Sequence, residues 1–91
     1  MVSVEVEVIE QIEEEDQGRS LAWVCDLIRG LSRDEPMAVL RGMWQGGYVG
    51  LLADSGEALP RWRCAELFRT GDANAPVRVV ATDHGSRWVH G

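Results

Sequence analysis

Lysine is absent from this chain: all nine bases are arginine, set against fifteen acids and two histidines, for a net charge of −6. Cysteine is scarce. Cys25 and Cys64 allow at most one disulfide, which excludes a disulfide framework, and they cannot form a zinc site alone. Long apolar runs are missing as well. The longest charge-free run, Gly42 to Ala53, has 12 residues, below the ~20 that span a bilayer. The start shows no basic stretch followed by an apolar one, the mark of a secretory leader. The expectation is therefore a cytoplasmic chain with no membrane partner. The signatures of common enzyme chemistry are also missing: no G-x-S-x-G, no phosphate-binding loop, no H-E-x-x-H and no dinucleotide fingerprint. Gly46, Gly47 and Gly50 lie between a helix and a strand, the reverse of the order that phosphate binding needs. His84 and His90 lack metal-ligand spacing. The expectation is no enzyme, no cofactor and no metal.

What is present is an ordinary globular composition, 45% hydrophobic and 26% charged over 91 residues, which excludes disorder and fibrous classes. A chain of this length makes one domain, 1–91, with a modest core. The charge is unevenly spread. Residues 1–16 hold seven acids and no base, whereas residues 17–91 are +1. The acidity belongs to the first segment. Its ordinary reading is a solvated face; the sharper one is an acidic surface for a partner or a nucleic-acid mimic.

Periodicity divides the chain into seven elements. In segment 2–15, Val2, Val4, Val6 and Val8 alternate as a strand would, while Val4, Val8, Ile9 and Ile12 fit one helix face. A helix over roughly 4–15 is preferred, ended by Gln17-Gly18. Leu21, Val24, Ile28 and Leu31 predict a helix over 20–31, capped by Ser20 and closed near Gly30. Ser32 to Glu35 has the capping-box form, and Met37, Leu40 and Trp44 predict a third helix over 33–46 with Pro36 in its first turn. Gly46-Gly47 reverses the chain into a strand over 48–53, and a turn follows at 54–57. Pro60 is placed at the first position of a helix over 60–69, with Trp62, Cys64, Ala65, Leu67 and Phe68 on its apolar side and Gly71 as its stop. Residues 77–81 alternate as a strand, and Thr82 caps a terminal helical turn over 83–90.

Two stretches carry a resemblance. Val39 to Val49 is similar to the end of the third helix of a winged helix-turn-helix domain, where an apolar face runs into a glycine turn and the first wing strand. Val77 to Val89 is similar to the returning wing strand followed by a T-x-x-G-x-R run of bacterial winged-helix regulators. The resemblance covers roughly residues 4–90. It implies an α+β fold: a small winged-helix-like domain of three N-terminal helices followed by an antiparallel hairpin interrupted by an inserted helix. Residues 54–76 depart from an ordinary short wing.

The resemblance implies a DNA-binding regulator, with Arg33, Arg41, Gln45 and Arg87 as contacts. Arg41 and Gln45 can read base edges, and Arg87, with Arg61 and Arg63, can reach phosphate. Asp34 and Glu35 stand where the groove would be approached and repel phosphate. The other hypothesis is an adaptor or inhibitor module that binds protein through Arg61, Trp62 and Arg63 or through the acidic first helix. Trp and Arg dominate such hot spots, and Arg-Trp-Arg suits a cation–π stack. A homodimer is compatible with either. Trp23, Trp44, Trp62 and Trp88 fall one per element, and their ordinary role is to anchor the core. Both cysteines read as small buried residues.

Overall fold

A computed structural model describes residues 3–91. The elements are α1 (Val4–Glu13), β1 (Arg19–Ser20), α2 (Leu21–Leu31), α3 (Pro36–Gln45), β2 (Val49–Ala53), α4 (Arg61–Thr70), β3 (Val77–Ala81) and α5 (Asp83–His90). Among the described residues, five helices pack with a three-stranded antiparallel sheet in the order β1-β3-β2. The fold is therefore α+β. The period conflict in the first segment resolves as helix. Ser3 accepts from the Val6 N–H, and Val8, Ile9 and Ile12 enter the core. Val2 lies outside the described residues.

The core joins Val8, Ile9 and Ile12 of α1 to Leu21, Val24, Cys25 and Ile28 of α2 and to Met37, Leu40 and Met43 of α3. Val49 and Leu51 of β2 and Val77 and Val79 of β3 close it from the sheet side. The alternation is complete: Val77 and Val79 are buried, whereas Arg78 and Val80 are half-exposed on the other face. The outer edge of β2 is not left open. Leu59 donates to the Leu51 carbonyl and Ala53 to the Glu57 carbonyl, so the turn after the strand covers part of that edge.

α1 ends at Glu13, two residues short of the periodic reading, and two helix starts differ from it for a local reason. The third helix begins at Pro36 rather than 33, because a residue before proline is driven out of the helical region. Glu35 is accordingly extended (φ −64°, ψ 125°) and becomes the cap itself, its carboxylate accepting from the Ala38 N–H at 2.9 Å. Ser32 ends α2 instead and accepts from the Asp34 N–H. Pro60 is likewise the residue before α4, not its first. α2 ends at Leu31, as the periodicity has it, one residue past Gly30, and closes at Ser32 in extended backbone. The strand β1 has no periodic signature. Two residues cannot alternate detectably, yet Arg19 pairs with Val79 and Ser20 with Arg78.

Since a Cβ on Gly30 would meet nothing within 4 Å, Gly30→Ala should stabilise the fold. Filling an exposed helix-interior glycine lowers the entropy lost on folding and gains about 0.5–1 kcal/mol. That corresponds to a rise in Tm of roughly 2–8 °C for a domain of this size, readable by far-UV circular dichroism melts.

Candidate interaction site

The third helix presents the most distinctive surface. Met37, Leu40 and Met43 face the core, so helical geometry turns Ala38, Arg41, Gly42 and Gln45 outward, and all four are exposed. The two outward positions on the helix's midline, Ala38 and Gly42, are small. They leave a low ridge between two grooves. The narrower groove, about 300 Å³, runs toward α4 and is lined by Arg41, Gln45, Phe68 and Gly71. The wider, about 720 Å³, runs toward the first turn of α1 and the side of α5, with Val39, Met43, Tyr48 and Trp88 among its lining residues.

Of the predicted DNA contacts, then, Arg41 and Gln45 share a groove. Arg33 is exposed in the α2–α3 connection, and Arg87 sits on α5 with its Nε donating to the Asp83 carbonyl at 3.4 Å. The other arginines are dispersed. Arg19 pairs with Glu14 and Glu15, Arg29 with Asp26 and Arg69 with Glu66. Arg78 donates to the carbonyls of Gln17 and Gly18. Arg33, Arg41 and Arg87 come from three different parts of the chain: the α2–α3 connection, α3 and α5.

The inserted helix α4 packs beside α3 through Phe68, whose ring centroid lies 5.4 Å from that of Trp44. Its buried stripe is Cys64 and Phe68. Trp62, two residues before Cys64, lies about 200° round the helix from it and is 65% exposed. Trp88 is 46% and Trp23 36% exposed. Core anchoring is thus wrong for these three and holds only for the half-buried Trp44. The Arg-Trp-Arg run also divides. The Arg63 guanidinium lies 5.9 Å from the Trp62 ring centre, whereas Arg61 covers Trp44 at 4.9 Å. Arg61, Trp62 and Arg63 are all exposed on one end of α4.

Tyr48, His84 and Trp88 form an aromatic stack that the sequence reading missed. Tyr48 lies against His84 at 4.9 Å and against Trp88 at 4.8 Å. The spacing signals only that His84 and Trp88, four apart on one helix, share a face. Thr82 sets the stack in place. Its hydroxyl donates to the Gly47 carbonyl and accepts from the Gly85 N–H, while its own N–H donates to the Tyr48 carbonyl. The threonine and glycine of the T-x-x-G run are therefore a docking joint between α5 and the start of β2.

The far end of α5 is tied to α1. Glu13 accepts from the Ser86 hydroxyl at 2.8 Å and bonds His90 Nε2 at 2.8 Å. The Ser86 bond, followed by the His90 bond, holds the Glu13 carboxyl below its ordinary value of 4.5. A lowered folded-state pKa contributes stability above the unfolded value and loses it as pH falls through the folded value. Glu13→Gln should therefore cost up to about 1 kcal/mol near neutral pH, since the pair is solvent-screened. The difference from the parent should shrink below pH 4.5. Urea titrations of both chains across that window check it.

The thiols are buried. Cys25 lies 3.7 Å from the Met37 sulfur, and Cys64 Sγ is 3.8 Å from the Leu59 carbonyl. Burial pushes both pKa values up, and the two are unpaired. Among the described residues no group of three His, Cys, Asp or Glu is placed to hold a metal ion, and no helix is long and apolar enough to cross a membrane. Comparison with protein-family models, curated proteins and solved structures returned no match.

Proposed function

We propose that this chain is a winged-helix-like module without catalytic chemistry whose partner is a protein. The observation that carries the reading is the sign of the charge lining the wide groove beside α3. Asp34 and Glu35 head the helix, Glu5 joins them across the wide groove, and no described arginine or histidine lines that groove. DNA affinity rests on neutralised phosphates, and this face offers carboxylates where a duplex would approach. Trp62 with Arg61 and Arg63 adds an exposed patch of the residue types that dominate protein interfaces. The fold part of the reading is supported by the antiparallel β2–β3 pair that follows three helices, and by the Thr82–Gly85 joint after the returning strand.

A second reading, a DNA-binding regulator, is favoured by one observation: Arg33, Arg41 and Arg87 are exposed and take part in no ion pair among the described residues. Anisotropy of labelled mixed-sequence duplex DNA separates the two. At about 50 µM protein and about 20 mM salt, even a non-specific DNA binder saturates. The protein-partner reading expects no change, together with specific protein adducts from a photo-crosslinker at position 62. Salt-sensitive DNA binding that is lost in Arg41→Gln and Arg87→Gln would replace it with the second reading.

A further inference from the structure

The wide groove beside α3 says what kind of segment it takes. The geometry points to a docking site for a basic amphipathic peptide segment of the partner, seated with its apolar side chains on Val39 and Tyr48 and its cations toward Glu5, Asp34 and Glu35. This rests on the protein-partner reading and deepens it.

Three features carry the assignment. First, size and shape: about 720 Å³ lies within the range that holds a few side chains. Its small-residue rim, Ala38 and Gly42, lets a second backbone come close. A Cβ on Gly42 would meet nothing within 4 Å, so this space is open to an incoming chain. Second, chemistry along its length: one end is apolar, with Val39, Met43, Tyr48 and Trp88, and the other carries the three carboxylates. An amphipathic segment with its charges clustered toward one end of its apolar stripe matches that division.

Third, sign. The first turns of α1 and α3 both border the groove, and each helix N-terminus carries about half a positive charge. Three carboxylates outweigh two such ends, so the groove remains anionic. Glu35 spends one oxygen on the α3 cap, whereas Glu5 and Asp34 take part in no ion pair among the described residues. Trp88 adds a half-exposed indole, a face that attracts Lys or Arg. Carboxylates and an aromatic wall together favour a cation over a neutral apolar occupant.

The test uses the full chain and two fluorescein-labelled peptides of the same length, one amphipathic in Lys and Leu, the other with every Lys replaced by Glu. The Lys–Leu peptide should bind at least about tenfold more tightly, a difference of about 1.4 kcal/mol. Gly42→Leu, which fills the groove and improves helix propensity, should weaken binding at least about tenfold without lowering Tm. Glu5→Gln with Asp34→Asn spares the Glu35 cap and should weaken it about three- to tenfold. Equal affinity for the two peptides, or a Gly42→Leu chain that binds as the parent does, overturns the assignment. Protein adducts at position 62 alongside a flat peptide titration sink the groove alone. DNA binding dependent on Arg41 sinks the protein-partner reading itself.

Discussion

Gly85→Ala should be among the most damaging single-methyl additions in this chain, lowering stability by about 3 kcal/mol or more. A Cβ at position 85 would overlap the Tyr48 carbonyl oxygen and come within 2.9 Å of its carbonyl carbon. Real Cβ atoms do not approach backbone so closely, and neither neighbour is a flexible tip that can swing away. Tyr48 leads into β2, an edge strand of the central sheet, and its carbonyl already accepts from the Thr82 N–H. Relief requires α5 to move outward, which lengthens that bond and the Thr82–Gly47 bond and parts Trp88 from Tyr48. The overpacking costs about 1–3 kcal/mol and the two weakened hydrogen bonds about 1 kcal/mol each, against which the helix-propensity gain of Ala over Gly returns at most about 1 kcal/mol. The expected Tm loss is roughly 10–20 °C, with near-ultraviolet dichroism changed before global unfolding because two stacked aromatics separate. Gly30→Ala is the control that should move the opposite way. A Gly85→Ala chain melting within about 2 °C of the parent would show that α5 does not dock on Tyr48.

How much of this was readable beforehand differs from residue to residue, and the differences have physical causes. Helices with a one-sided apolar stripe were legible: Leu21, Val24 and Ile28 specify α2, and they occupy the core together. So were glycine stops, because the αL backbone at Gly71 (φ 72°) is open to few other residues. The start of α3 was legible in principle, since Pro36 excludes Glu35 from the helix; the capping-box pattern obscured it. The exposure of Trp62 was also legible from its angular distance to Cys64 and Phe68, but a tryptophan's apolar area invites assignment to the core. What could not be read was long-range. Nothing local to Tyr48 indicates that His84 and Trp88 stack on it, and nothing near Glu5 places it across a groove from Asp34. Those contacts depend on how α1, α3 and α5 pack, and the candidate site consists mostly of them. The charge split was readable, but which acids share a groove was not. The acids that matter to the groove are Glu5, Asp34 and Glu35, only one of which belongs to the acidic first segment.

Gly18→Ala should destabilise the chain by about 2–4 kcal/mol, for two separable reasons. The first is conformation. Gly18 has φ +75°, a left-handed backbone that costs an L-residue roughly 1–2 kcal/mol. The second is space. A Cβ there would overlap the Val79 carbonyl oxygen and lie 2.7 Å from Val80 Cγ1, so the chain must move away from β3. That movement strikes the shortest strand in the sheet. β1 is held by its pairing of Arg19 with Val79 and Ser20 with Arg78, and by the Arg78 guanidinium, which donates to the carbonyls of Gln17 and Gly18. Ser20 is also the cap of α2, accepting from the Trp23 N–H at 3.2 Å, so a displaced β1 disturbs the start of the next helix. Gly56→Ala separates the two causes. Gly56 also has a positive φ, +93°, but its Cβ would meet nothing within 4 Å, and its substitution should cost only the conformational part, about 1–2 kcal/mol. Urea unfolding of the two variants measures the difference directly. Hydrogen exchange should show faster opening along β3 in Gly18→Ala alone, since only there does the added methyl push one strand off another. Equal costs for the two substitutions would mean that the close approach of β1 to β3 is not a constraint, and that Gly18 is needed for its backbone angle alone.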